Sequence, residues 1–418
     1  MAVFEIIGGK RLKGSVRIAG NKNSVLPIMA ACLLTNGTCT LKNVPRISDV
    51  DVMIKLLEIA GAKIKRVDKS TLEVSCINIK KTQFPSELTE KLRAAILLLG
   101  PMLSRTGHIH MGYPGGDIIG RRPLETHIQA LSAMGAKVIQ TGDYFEADAV
   151  KLKSSEIFLQ EASVTATENT IMAAVLAPGQ TVIKRAASEP HVADLCNFLN
   201  SMGAQIEGIG SNVLTIFGVE NLHGTTFTIQ ADHIEVGTFM ILAAVTKSEL
   251  EISPVDPSDM DMVFLTLQKF GVRYRLTGST LKVLKSNLSA IEKVVTDVWP
   301  GFPTDLIAPT IVLATQSKGV TILHDWMYES RMFFVDKLLS MGAKVEIADP
   351  HRVLVYGPTK LTGQKLDTPD IRAGMALVIA ALIADGKSQI SKAELIERGY
   401  ENIVERLKSV GANIKRIS

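Results

Sequence analysis

The sequence predicts an α/β protein made of two domains, each holding three copies of one repeat. Three observations carry this prediction. One helix–glycine–strand signature recurs along the whole chain, a strongly apolar helix accompanies every copy, and 418 residues suit two or three domains rather than one. The signature appears as "LLEIAGAKIKRV", "LSAMGAKVIQT", "LNSMGAQIEGI", "LQKFGVRYRLT", "LLSMGAKVEIA" and "LKSVGANIKRI". Its glycines, Gly61, Gly135, Gly203, Gly271, Gly342 and Gly411, lie about 70 residues apart, which is the mark of an internal repeat.

Each part of the signature has a physical reason. Leu and Met at helical spacing turn one face inward. The glycine ends the helix in a left-handed conformation that other residues resist. The alternating residues after it start a strand. The companion helices, in chain order, are "SVLPIMAACLL", "LRAAILLLGPML", "ENTIMAAVLA", "EVGTFMILAAV", "LIAPTIVLA" and "AGMALVIAALIA". A helix apolar nearly all round is buried, so three such helices per domain predict a helical core covered by short strands and amphipathic helices. Helix starts are expected at a Thr165–Glu168 capping box, at Ser258, Thr304 and Asp370 as N-caps, and at Pro123 as a first helical residue.

Composition narrows the function. Hydrophobic residues make up 46% and charged residues 21%, so a packed core is expected and disorder is not. A net charge of +4 is too small to predict nucleic-acid binding. The start of the chain shows no cationic stretch followed by a long apolar one, so no signal peptide is expected. The longest apolar run, 373–384, is too short to span a bilayer. Cys32, Cys39, Cys76 and Cys196 form no Cys-x-x-Cys pair, and no disulfide framework is expected. The pair His108 and His110 falls on one strand face without an assignable third ligand, and no metal is expected.

The polar residues worth singling out gather near predicted helix starts. Lys22 and Asn23 precede the first apolar helix. Arg122 precedes Pro123, and Ser163 precedes "ENTIMAAV". Asp305, Arg331, Arg372 and Arg398 take comparable places in the second half. Helix N-termini offer free N–H groups and a positive dipole, and added cations make an anion site. Any one of these arginines also reads as an ordinary surface ion pair, and Asp305 as a simple cap beside Thr304. The loop "YPGGDIIGRRPLETH" sets one carboxylate, Asp117, among glycines and arginines. A turn aspartate accounts for that locally, yet repeated cation placement in both halves points to a ligand with several negative charges.

The segments "AGNKNSVLPI", "PGGDIIGRRPLETH", "ASEPHVADLCNFLNSMGA", "FPTDLIAP", "YESR", "DIRAG" and "ERGYENI" resemble the enolpyruvyl transferases, in one order over essentially the whole chain. The resemblance implies two inside-out α/β barrel-like domains, each of three βαβαββ repeats around buried helices. It places the first domain at 22–229, the second at 1–21 plus 230–418, and the active site in the cleft between them. It implies transfer of the carboxyvinyl group of phosphoenolpyruvate to the 3-hydroxyl of UDP-N-acetylglucosamine in a bacterial cytoplasm, with no cofactor, no nucleic acid and no membrane partner.

By the same resemblance, Lys22, Arg122 and Arg398 clamp the phosphate and carboxylate, with Arg331 and Arg372 assisting. Asp305 takes the hydroxyl proton, and Asp117 protonates the vinyl methylene. Asn23, Arg93, Pro123, Leu124, Glu125, Thr126, Glu161, Ser163, Val164 and Met327 match substrate-side positions. Most members carry a cysteine where this chain has Asp117, and the drug fosfomycin alkylates that thiolate. A carboxylate is a far poorer nucleophile, so insensitivity is expected. Glu161 stands where the family usually has lysine, and Thr165 where it has glycine. Two other readings follow from these residues: a carboxyvinyl transferase with another acceptor, such as a different nucleotide or shikimate 3-phosphate, and a non-enzymatic ring of six repeats that encircles DNA.

Overall fold

The computed structural model describes residues 2–117 and 119–417. Gly61, Gly135, Gly203, Gly271, Gly342 and Gly411 all have positive φ, between 86° and 114°, and each follows a helix and leads into a strand. At Gly61 the left-handed turn returns two N–H groups to the helix end: Gly61 N donates to the Glu58 carbonyl and Ala62 N to the Leu57 carbonyl.

One repeat shows the plan. Strand Gln83–Phe84 leads to the apolar helix Leu99–Thr106, which crosses to the parallel strand His108–Gly112. The helix Glu125–Ala133 follows, then the antiparallel strands Lys137–Gln140 and Tyr144–Asp148. The later strand of that hairpin pairs with His108–Gly112, so the hairpin extends the sheet. Six four-stranded sheets share this order. Some are completed from far along the chain. Thr226–Thr228 pairs with Thr38–Lys42, Lys13–Arg17 with Glu249–Ser253, and Val3–Ile7 lies between Lys387–Ser391 and Asn413–Ile417.

The chain divides into two compact units. One comprises Met1–Ala19, Asp117–Arg121 and Ala231–Ser418; the other comprises Gly20–Gly116 and Arg122–Gln230. Each has its own hydrophobic core. In the first, every residue of helix His233–Val245 and of helix Ile307–Thr315 is buried, and Ile307–Thr315 packs against both His233–Val245 and Ile371–Ile383. Helices form the centre and sheets the outside, which is the inside-out architecture.

The structure corrects several helix starts. The apolar segment 92–103 is not one helix: a 3₁₀ stretch, Arg93–Leu98, precedes the α-helix Leu99–Thr106. Pro101 explains the break, since a residue without an N–H fits only the first turn of an α-helix. Helix Val164–Ala174 is capped by Ser163, whose Oγ accepts from Ala166 N, so no box forms between Thr165 and Glu168. Ser258 lies inside a 3₁₀ turn capped by Asp256, and Thr304 begins a 3₁₀ turn ahead of Ile307–Thr315. Pro123 precedes the helix Glu125–Ala133 because Leu124 is not helical. Asp370 caps Ile371–Ile383 as expected, accepting from Arg372 N and Ala373 N. Among the described residues no helix is long and apolar enough to cross a membrane.

Candidate functional site

In the unit Gly20–Gly116 plus Arg122–Gln230, helix Lys22–Ala31 starts from Asn21, whose Oδ1 accepts from Asn23 N at 2.8 Å. Lys22, in the first turn, pairs with Asp49 at 2.7 Å, and both side chains are largely buried. Asp49 is in the first turn of helix Ser48–Ala60, a partner that sequence alone does not single out. Arg93 organises the chain on either side of the Asp117 loop: it donates to the Pro114 carbonyl at 3.3 Å and to the Arg122 carbonyl. The glycines before Asp117 are there for room. A Cβ on Gly115 would sit 1.8 Å from the Glu90 carbonyl oxygen, and one on Gly116 2.8 Å from Arg93 Cβ.

Beyond the loop, Arg122 is half-buried, Pro123 and Glu125 are exposed, and Leu124 and Thr126 are buried. Glu161 is exposed, while Ser163 and Val164 are half-buried at the start of helix Val164–Ala174. Beneath that helix start, the buried His127 reaches Thr165 Oγ1 at 3.0 Å with Nε2 and Asn169 Nδ2 at 3.0 Å with Nδ1. Burial, with Arg93 nearby, pushes the His127 imidazole down to about 3, so it is neutral. Burial also raises the Glu168 carboxyl well above its usual range, helped by Glu189.

In the unit that contains Asp117, Arg398 Nη1 donates to Asp117 Oδ1 at 2.9 Å. Arg398 follows the short helix Glu394–Glu397 as its C-terminal cap, not a helix start as the sequence predicts. The next helix is delayed to Ile403 because Asn402 is left-handed, with φ 46°. The loop after Asp117 is held from the same unit: Glu329 Oε1 accepts from Arg121 N at 2.9 Å, and Ser330 N donates to the Ile119 carbonyl.

Asp305 lies between two arginines. Its Oδ1 accepts from Arg331 Nη2 at 2.8 Å and its Oδ2 from Arg372 Nε at 2.9 Å. Burial by itself would raise the Asp305 carboxyl, but Arg372 and Arg331 outweigh it and hold the group well below the usual carboxylate range. Both arginines are buried, and Tyr328 and Tyr400 lie under their guanidinium planes. Nε and Nη1 of Arg331 and Nη1 of Arg372 make no hydrogen bond among the described residues. Arg331 Nε does lie 4.0 Å from Asp325 Oδ2, an ion pair without a hydrogen bond, so the two Nη1 groups are the buried cationic donors left to meet an anion.

A residue the sequence did not flag supports this arrangement. Asp325 is fully buried and accepts from Thr296 Oγ1, from Thr304 Oγ1 and from the backbone of Met327. It thereby ties Met327 to the turn that carries Asp305. His108, Glu146 and Asp148 bring their ligand atoms within 4.8 Å of one another on a sheet face. The acids come from the strand antiparallel to His108–Gly112, which is why sequence spacing does not show them.

A comparison with protein-family models matches residues 6–407 to EPSP synthase (3-phosphoshikimate 1-carboxyvinyltransferase), the enolpyruvyl transferase family. Two relatives, both named UDP-N-acetylglucosamine 1-carboxyvinyltransferase, are similar over their full length. The one from Treponema denticola is 47% identical over 99% of both chains. The one from Borreliella burgdorferi is 48% identical over 100% of this chain and 99% of its own. The chain belongs to this family. Solved structures agree on the enolpyruvyl transferase fold. The enolpyruvyl transferase NikO from Streptomyces tendae superposes with a TM-score of 0.90 at 23% identity, covering 99% of this chain and 98% of that one. An EPSP synthase from Acinetobacter baumannii superposes with a TM-score of 0.77 at 18% identity over the whole of both chains. In this enolpyruvyl transferase the four cysteines are buried and free, and none lies in the Asp117 loop.

Proposed function

We propose that this enolpyruvyl transferase moves the carboxyvinyl group of phosphoenolpyruvate onto the 3-hydroxyl of UDP-N-acetylglucosamine and releases phosphate, the first committed step of peptidoglycan synthesis. The observation that carries this reading is Asp305 held between Arg331 and Arg372, with guanidinium N–H groups left over for an anion. Relatives named for that transfer and alike over the full chain support it.

The chemistry balances with two carboxyl groups. Asp305 takes the proton of the sugar hydroxyl as its oxygen bonds to C2 of phosphoenolpyruvate. Asp117 gives a proton to C3, and C2 becomes a ketal that carries both phosphate and sugar. The Asp117 carboxylate then takes a proton back from C3, which restores the double bond as the C2–phosphate bond breaks and phosphate leaves, and the proton on Asp305 departs with the phosphate. Asp305 is ionised but a weak base while it faces two cations, one of them also paired with Asp325 at 4.0 Å. An anionic substrate on Arg331 and Arg372 neutralises that charge and raises its basicity when a base is needed. Lys22, Arg122 and Arg398 complete the clamp on phosphate and carboxylate. Asn23, Arg93, Pro123, Leu124, Glu125, Thr126, Ser163, Val164 and Met327 serve the nucleotide sugar. In this reading, domains 22–229 and 1–21 plus 230–418 act together, the enzyme works in the cytoplasm, and it needs no cofactor.

One observation favours a second reading. The exposed Glu161 puts a negative charge where a nucleotide diphosphate is to be held, which suits a carboxyvinyl transfer to another acceptor.

Phosphate release from phosphoenolpyruvate, measured with UDP-N-acetylglucosamine and with shikimate 3-phosphate, tests the proposal. Release with the sugar nucleotide alone supports it. Release with shikimate 3-phosphate alone, or with neither, overturns it.

A further inference from the structure

The sheet built from Gln83–Phe84, His108–Gly112, Tyr144–Asp148 and Lys137–Gln140 has a polar outer face. Along its two central strands Ile109, Met111, Phe145 and Ala147 are fully buried, so the residues that alternate with them point outward. The register sets His108 opposite Asp148 and His110 opposite Glu146. A His-x-His strand thus lies against a Glu-x-Asp strand, with all four side chains on one face. His108 Nδ1 is 2.8 Å from Asp148 Oδ1, which alone would be an ordinary surface ion pair. That reading does not account for Glu146. Residues two apart on a strand stand ~7 Å apart, yet a Glu146 oxygen, an Asp148 oxygen and a His108 ring nitrogen all lie within 4.8 Å of one another. Two carboxylates that lean together repel unless they share a cation. Lys137, opposite Asp148 on its other side, makes no ion pair with either acid among the described residues.

We propose that this sheet face binds one divalent transition-metal ion of the Zn²⁺ type, held by His108, Glu146 and Asp148. The donor set selects the metal. An imidazole beside two carboxylates suits Zn²⁺ and its neighbours, whereas Mg²⁺ and Ca²⁺ take oxygen ligands. Donors that share a tetrahedral Zn²⁺ lie roughly 3.4 Å apart, so the three side chains need only small rotations to close on it. His110 shares the face but stacks on Tyr144, with ring centroids 4.8 Å apart, and stays outside the group. The fourth position therefore goes to water. The ligands come from two strands, so only the folded sheet assembles the site, and the ion ties the start of His108–Gly112 to the end of Tyr144–Asp148. The proposal does not depend on which acceptor the enzyme uses.

Calorimetric titration of the tag-free, chelator-treated full chain with ZnCl₂ provides the test, beside thermal midpoints with and without the ion. The parent is expected to bind one Zn²⁺ at this face and to gain thermal stability from it, since the ion binds the folded state. Mg²⁺ in large excess should not displace it. Glu146→Gln leaves the His108–Asp148 pair intact and removes one ligand. It should weaken Zn²⁺ binding at least ~10-fold, because losing even a group that only orients a ligand costs that much. Asp148→Asn should do the same, and both variants should lose the Zn²⁺-dependent rise in midpoint. Both positions face outward, so neither change opens the core. No Zn²⁺ binding by the parent overturns the proposal. So does affinity unchanged in both variants, which would put the ion elsewhere. Displacement by Mg²⁺ would reduce the face to an acidic patch and also overturns it.

Discussion

Arg398 donates to Asp117 across 2.9 Å, and both side chains are largely shielded from solvent. If Asp117 is the proton donor, as proposed above, it must first be released from this pair, and in that proposal the phosphate of phosphoenolpyruvate is the anion that draws the arginine off. Asp117→Asn, which cannot give a proton, should cut the rate of phosphate release by a factor of about 10²–10⁴, the usual worth of a general acid. Asp117→Cys should keep measurable turnover and acquire irreversible inactivation by fosfomycin, because a thiolate replaces a poor nucleophile. The parent should keep releasing phosphate in the drug. Time-dependent inactivation of the parent would remove the argument from Asp117.

In the proposed transfer, Asp305 links activity to acid stability. Arg372 and Arg331 hold its folded-state pKa below the unfolded value near 4. The carboxylate therefore contributes stability that is fully present above pH ~4 and lost as pH falls below it. Asp305→Asn leaves two buried guanidinium groups facing each other without their shared anion. It should abolish transfer and cost roughly 3 kcal/mol at pH 7. The gap in thermal midpoint between parent and variant should shrink as pH falls below about 4. A gap that stays constant with pH would show that the ion pairs contribute nothing to folding.

Much of the fold is legible because its signals are local. A helix-ending glycine such as Gly342 and an apolar run such as 373–384 need no distant partner to be read. The pairing of Val3–Ile7 with Lys387–Ser391 and Asn413–Ile417, at the other end of the chain, is not written in any local pattern. The site divides the same way. Lys22, Asp305 and Arg372 stand out as charges beside helix starts, and Asp117 as a carboxylate set among glycines and arginines. Asp49 and Asp325 do not, since their importance comes from which cation or turn the fold brings to them. The His127–Asn169–Thr165 chain is invisible for the same reason: it joins two helices.

Glu161 bears on the acceptor. It is exposed, so its field is screened by solvent and salt. Glu161→Lys should lower the KM for UDP-N-acetylglucosamine by about three- to fivefold at low ionic strength, and the advantage should shrink in ~0.5 M salt. The KM for phosphoenolpyruvate should not change. A rise in nucleotide KM would show instead that the native acceptor needs this carboxylate, which favours the reading with another nucleotide.

Asp194 offers a separate stability test. It is buried in helix Pro190–Ser201, accepts from Gln230 N, and its Oδ1 makes no hydrogen bond among the described residues. Burial raises its pKa to about 6, against about 4 in the unfolded chain. Between those values the unfolded state has lost the proton and the folded state still holds it, so stability falls as pH rises from about 4 to about 6 and then levels off. Near pH 7 the accumulated cost is on the order of 3 kcal/mol. His127 works in the opposite sense. With its folded pKa lowered to about 3, it withdraws stability as pH falls below its unfolded value near 6.5. The two slopes oppose each other between pH ~4 and ~6, which makes the parent's profile flatter than either group alone would give. Asp194→Asn removes one of them. The variant should be more stable than the parent near pH 7, equal to it near pH 4, and steeper between, as read from denaturant midpoints across that range. A variant less stable than the parent at pH 7 would mean that the Asp194 carboxylate is ionised and paired in the folded protein.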